Sequence, residues 1–282
     1  MGEIQKMTNK LIIEFEKYLI NEEKSKATIE KYIRDVQIFN LWLSGKKLCK
    51  PLVLEYKQNL TKLYAPKSIN SIISALNTFF NFISRHDCKI KTLKIQRQIF
   101  SSKEKELTKS EYKRLLNEAK NKNNDRLFYL LQTICSTGIR VSELRYITVA
   151  AVSERKAVIN GKGKMRTVFL PKKLCKMLEF YIKKNKISSG SVFVTKNGNP
   201  LDRSNIWSDM KKLCENAGVP KNKVFPHNLR HLFARTFYTL EKDIVRLADI
   251  LGHSSIETTR IYTMETGEIH LMQIEKMQLL LC

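Results

Sequence analysis

The chain has 282 residues, 43% of them hydrophobic, with 51 Lys and Arg against 27 Asp and Glu. A formal net charge of +24 suits a small-molecule enzyme poorly and points to a polyanionic partner, nucleic acid or an anionic surface. The sequence holds no run of about 18 apolar residues, so no membrane-spanning helix is expected.

The opening "MGEIQKMTNK" lacks the apolar block of a secretory signal. Cys49, Cys88, Cys135, Cys175, Cys214 and Cys282 form no C-x-x-C pair and have no zinc-ligand spacing. They read as reduced thiols of a cytosolic protein. With no H-E-x-x-H, Walker or EF-hand motif present, neither a metal nor a nucleotide cofactor is expected. The basic residues run the length of the chain, which fits a long footprint on a phosphate backbone better than one anchoring arm.

In chain order, Thr8 caps a helix whose apolar positions Leu11, Ile12, Phe15 and Leu19 recur at helical spacing. A second helix follows Ser25 and carries Ile29, Tyr32, Ile33, Val36, Phe39 and Leu43. A third opens at Pro51 and a fourth near Pro66, with Ile69, Ile72, Ile73, Leu76, Phe79, Phe80 and Ile83. This pattern predicts a compact helical bundle over residues 1–88. The period then breaks, and "KIKTLKIQRQIFSSKEKELTK" reads as a basic linker, 89–106. A second domain, 107–282, begins with a helix capped by Thr108, with Glu111 completing a capping box.

That domain mixes elements. Leu127–Leu131 lies in an apolar helix, and "STGIRVSELRYI" turns through glycine into another. "KAVINGKGKMRTVFLP" alternates on both sides of Gly161-Lys162-Gly163-Lys164, the mark of a hairpin. "SVFVTKNGNPL" reads as a short strand and an Asn-Gly turn, and from Arg203 the pattern is helical.

Several polar residues need a reason. Arg140 and Glu143, on one helical face, are either a surface ion pair or an arginine at a helix N-terminus, where free N–H groups favour phosphate, oriented by its acidic neighbour. Lys162, at the hairpin tip, is either solvated or a mobile acid. In "FPHNLRHLF", Pro226 suits a first helical turn and His227 and Arg230 share a face, while His231 reads as a packed core histidine. In "EKDIVRLADILGH", Ile244, Leu247, Ile250 and Leu251 have helical spacing and Gly252 suits the C-terminal cap. Ser254 with Glu257 then forms a capping box, which puts His253 at the elbow between two helices and Tyr262 about two turns into the second.

Together these pieces resemble the tyrosine recombinase (integrase) family, especially its short, two-domain Xer-like members, over nearly the whole chain. "TGIRVSEL" resembles the box of the family's first catalytic arginine, which implies that role for Arg140 and a supporting one for Glu143. "GKGKMRTVFLP" resembles the hairpin of the catalytic lysine, Lys162; "PHNLRH" resembles the His-x-x-Arg box, His227 and Arg230; "LGHSSIETTRIYT" resembles the last box, with His253 and the nucleophile Tyr262.

The resemblance implies a mainly α fold with a small β component: an N-terminal helical core-binding bundle and a C-terminal mixed α/β catalytic domain whose last helix docks on a neighbouring protomer. It implies DNA strand exchange through a 3′-phosphotyrosyl intermediate. The expected partners are double-stranded DNA with paired core sites and further copies of the chain, as a tetramer, at the nucleoid and away from membranes. Two rivals are a type IB topoisomerase-like enzyme and a non-enzymatic helix-turn-helix regulator. The second does not account for the ordered Arg, Lys, His-x-x-Arg, His and Tyr boxes.

Overall fold

The computed structural model describes residues 9–95, 105–161, 164–195, 197–263 and 267–277, and the chain divides into two compact units, 1–97 and 98–282. Among the described residues it is mainly helical with a two-stranded sheet. None of its described helices is long and apolar enough to cross a membrane.

The first unit contains α1 (Asn9–Asn21), α2 (Lys26–Leu43), α3 (Lys50–Leu63) and α4 (Pro66–Phe82). The predicted apolar stripe of α1 is buried, with Phe15 and Leu19 fully so, and the expected cap Thr8 lies outside the described residues. Ser25 caps α2, its hydroxyl accepting the Thr28 N–H, while Pro51 and Pro66 stand in the first turns of α3 and α4, where no N–H is required. Phe15 meets Phe79 edge to face at 5.1 Å, and Phe39 packs on Tyr56 at 5.0 Å, so aromatic contacts knit the four helices.

Two asparagines, two turns apart on α4, secure the chain that follows. The Asn77 side chain donates to the Ile90 carbonyl (2.8 Å) and accepts its N–H (3.1 Å); Asn70 does the same for Leu93 (2.9 and 2.7 Å). The basic stretch beginning at Lys89 is thus held on the bundle as far as Leu93.

The second unit holds α5 (Lys109–Asn121), α6 (Asp125–Thr137), α7 (Val149–Ser153), β1 (Lys156–Gly161), β2 (Lys164–Phe169) and α8 (Lys172–Lys184). It continues with α9 (Arg203–Lys211), α10 (Pro226–Glu241), α11 (Ile244–Leu251), α12 (Ile256–Arg260) and α13 (Gly267–Lys276). The Thr108–Glu111 capping box is present, and Glu111 also pairs with Lys223 at 2.9 Å. Its large core, with Leu115, Leu130, Ile134, Leu178, Val192 and Leu229 at its heart, packs α6 against α10 and α8, with the hairpin against α7.

β1 and β2 are antiparallel, with Ala157 opposite Val168 and Ile159 opposite Arg166. Opposed residues share a face. Ala157, Ile159 and Val168 are buried, whereas Val158, Met165 and Phe169 face outward. Arg166 therefore turns inward with the apolar residues.

Three local expectations need correction. "SVFV" forms no full strand: isolated bridges join Thr148 to Ser191 and Val194 to Pro200, because its apolar run is too short to carry a ladder between the two. The cap of α12 is Ser255, not Ser254. Gly252 ends α11 in the left-handed conformation and His253 still bonds back to Ala248; Ser255 is extended (φ −142°), and its hydroxyl accepts the Glu257 N–H. α12 ends at Arg260, so Tyr262 lies in the turn beyond it, its N–H donating to the Thr259 carbonyl at 2.9 Å.

Candidate active site

Arg230 lies at the centre. It projects from the second turn of α10 and is only 1% exposed. Nη1 donates to the Gly138 carbonyl (2.6 Å), and Nη2 to the Leu251 carbonyl (2.7 Å) and to His253 Nε2 (2.9 Å). Gly138 caps the C-terminus of α6 and Leu251 ends α11. Both carbonyls belong to helix C-termini, which lack intrahelical donors and carry the negative end of the helix dipole. Among the described residues the guanidinium is satisfied by dipoles and an imidazole rather than by a carboxylate, so its positive charge is solvated without being cancelled. Burial first, then the charge of Arg140, lowers its pKa to about 10, which leaves it protonated at neutral pH.

An arginine N–H only donates. His253 Nε2 must therefore accept, and the proton of the neutral ring sits on Nδ1, which donates to Thr259 Oγ1 at 2.8 Å. Thr259 is fully buried, so its hydroxyl is a fixed partner. Burial, followed by the charges of Arg230, Arg140 and Arg166, lowers the His253 pKa to about 4.

Tyr262 is 3% exposed and packs with Ala234, Leu247 and Leu251. Its ring is ringed by imidazoles: His253 stacked at 5.9 Å, His231 edge-on at 4.4 Å and His227 at 6.4 Å. His231 also lies 5.0 Å from His227. The residue expected as plain core is thus half-buried between another histidine and the tyrosine. Burial, then the charges of His227 and Arg230, lowers its pKa to about 4, and His227 is lowered by desolvation, then by Arg230, Arg140 and Arg203.

Arg140 opens the site on another side. It is the extended residue before a 3-10 helix, Val141–Tyr146. Glu143 accepts its backbone N–H on Oε2 and its Nη1 on Oε1, both at 2.9 Å. Burial pushes the Glu143 carboxyl up, but the Arg140 N–H and the guanidiniums of Arg166 and Arg140 outweigh it and hold the group below its ordinary range.

The phage integrase family matches residues 105–268, and the phage integrase N-terminal SAM-like domain matches residues 12–87. The chain belongs to the phage integrase family, the tyrosine recombinases. It is 34% identical to tyrosine recombinase XerA of Thermococcus kodakarensis, over 95% of each chain. With XerH of Campylobacter jejuni it shares 32% identity, covering 83% of this chain and 72% of that one. Among solved structures, that of XerA matches with TM-score 0.53 and 25% identity over 97% of this chain and 99% of that one. A lambda integrase dimer on a core site matches in fold with TM-score 0.73 at 16% identity, over 92% and 96%. XerH bound to its difH substrate before cleavage matches in fold with TM-score 0.70 at 19% identity, over 94% and 84%.

In this tyrosine recombinase, Arg140, Glu143, His227, Arg230, His253 and Tyr262 are brought together from the α6–Tyr146 segment, α10, the α11–α12 elbow and the turn after α12. Lys162 lies outside the described residues; β1 and β2 lead to it, with Gly161 paired to Lys164. Sequence reasoning passed over two residues. One is Thr259. The other is Arg166, whose Nη2 donates to Glu143 Oε2 (2.6 Å) and Nη1 to the Ile250 carbonyl (2.7 Å). A signal for Arg166 existed: the strand alternation that buries Val168 also turns residue 166 inward, and a charge there calls for a partner.

Proposed function

We propose that this recombinase cleaves and rejoins duplex DNA at specific sites through Tyr262. The phenolic oxygen attacks the scissile phosphorus, a 3′-phosphotyrosyl bond forms, and the bond to the 5′-oxygen breaks. The ester preserves the energy of the broken linkage, so a 5′-hydroxyl of a second duplex can reverse the step and join exchanged strands. Arg140 and Arg230 clamp the non-bridging oxygens, where negative charge gathers in the transition state. Lys162 protonates the leaving 5′-oxygen. His227 takes the phenolic proton or holds the phosphate; His253 bonds a phosphate oxygen once its proton lies on Nε2 and the Thr259 hydroxyl donates to Nδ1 instead.

One observation carries this reading: an arginine buried without a carboxylate partner among the described residues, hydrogen-bonded to an imidazole that stacks on the ring of Tyr262. Such a buried charge is costly to desolvate, and an incoming phosphate is the anion that would repay it. Because Tyr262 is 3% exposed, attack requires the turn after α12 to move outward.

The first unit acts as the core-binding domain, the second as the catalytic domain, and the basic stretch between them as a linker on duplex DNA at the nucleoid. Exposed Leu271, Met272 and Ile274 on α13, followed by Met277, fit docking of the tail on a neighbouring protomer. On this reading the working assembly is a DNA-bound tetramer on paired core sites; a lambda integrase of the same fold has been solved as a tetramer bound to a Holliday junction, which supports it.

The test uses supercoiled plasmids with no, one or two copies of the site recovered by covalent capture of host DNA. Recombinant circles that need two sites support strand exchange. Relaxation independent of any site supports the topoisomerase-like reading instead.

A further inference from the structure

Glu143 carries one negative charge, and two guanidiniums compete for it. Arg166 meets Oε2 at 2.6 Å with the two side chains 14% and 13% exposed, whereas Arg140 meets Oε1 at 2.9 Å while 40% exposed. Attraction between opposite charges grows as water is withdrawn. The shorter, drier contact takes the larger share of the carboxylate.

Arg166 is held there by more than Glu143. It arrives from the inward face of β2, opposite Ile159, and its other arm is fixed on the Ile250 carbonyl. Its stem crosses Gly252 so closely that a Cβ on that glycine would lie 2.2 Å from Arg166 Cδ. One side chain thus ties together the Arg140 box, the hairpin and the elbow that carries His253.

We propose that Arg166 is a positioning residue for the strand-cleaving reaction: it takes up the charge of Glu143, so that Glu143 holds Arg140 by hydrogen bonds without cancelling the positive charge Arg140 presents to phosphate. This rests on the strand-transfer reading above. With Arg166 neutralised, Glu143 pairs with Arg140 alone, and the phosphate must compete with a carboxylate for that guanidinium.

The test is single-turnover cleavage of a nicked suicide duplex carrying the site that the wild-type protein cleaves. DNA affinity is measured separately on the Tyr262→Phe background. Arg166→Gln slows cleavage about 30-fold or more, on the scale of a weakened transition-state clamp, while affinity changes by less than about 3-fold. Arg166→Lys keeps the charge and one bond and slows cleavage by no more than about 5-fold. Removing the uncancelled anion as well, in Arg166→Gln/Glu143→Gln, recovers at least about 5-fold over Arg166→Gln.

A folded Arg166→Gln protein that cleaves at the wild-type rate overturns the assignment. So does a folded double variant no faster than Arg166→Gln, the outcome of a merely structural role. Where neither glutamine variant folds, Arg166→Lys decides: a loss beyond about 5-fold overturns the proposal and a smaller one supports it. Failure of the wild-type protein itself to form an adduct on any captured DNA overturns strand transfer, and with it the role given to Arg166.

Discussion

In the N-terminal unit the largest fully buried side chains are Phe15, Phe39, Phe79 and Phe80; in the C-terminal unit the largest is Arg230. The first set contributes hydrophobic burial and edge-to-face contacts, which stabilise without specifying chemistry. The second requires a charge to leave water and be met, among the described residues, by helix-end carbonyls, an imidazole and the Tyr262 hydroxyl. The comparison separates residues kept for stability from residues kept at its expense.

Substitutions sharpen the contrast. Arg230→Met should lower the cleavage rate by about 10³-fold or more, because a charge on the transition-state oxygens is lost. Its stability should change by less than about 2 kcal/mol, since relief from desolvation is offset by two orphaned carbonyls. Chemical denaturation beside single-turnover cleavage checks both. Phe79→Ala should do the reverse: about 3–5 kcal/mol of stability lost, with an unchanged cleavage rate for the fraction that stays folded and bound.

Gly252→Ala should cost about 1–2 kcal/mol from its left-handed backbone (φ +64°), and it also displaces the Arg166 stem, so cleavage should fall beyond what the lost folded fraction accounts for. A denaturation curve and a cleavage rate at matched folded fraction distinguish the two components.

A further effect is one of pH. His231 and His253 have folded pKa values of about 4, below the ordinary 6.5 that the unfolded chain regains. Between these values the unfolded chain binds more protons. The stabilisation is therefore fully present above pH 6.5 and lost as pH falls toward 4. Hydrogen exchange resolved by unit should show the C-terminal unit weakening over that range, and His231→Phe should flatten its profile. A slope unchanged by that substitution would remove His231 from the account.

The sequence made some of this legible and not the rest, for physical reasons. Helix starts at Ser25, Pro66 and Thr108 were readable because caps and first-turn prolines act within one turn of chain. The His227–Arg230 face and the His253 elbow were readable because helical spacing and a glycine cap are local as well. The carbonyl cradle of Arg230 was not, since backbone oxygens carry no sequence signature and Gly138 lies 92 positions away. Arg166 escaped notice because its partners are 23 and 84 positions distant. Ser254 and Ser255 both flank the elbow, and it is the backbone at Gly252 and Ser255 that decides which of them caps the helix.

The most direct test maps the covalent link. Wild-type protein is stalled on a nicked suicide duplex, digested with protease and nuclease, and the nucleotide-bearing peptide is sequenced by mass spectrometry. The account predicts a 3′-phosphonucleotide ester on the oxygen of Tyr262. A nucleotide attached to any other side chain, or cleaved DNA with both ends free of protein, would contradict it.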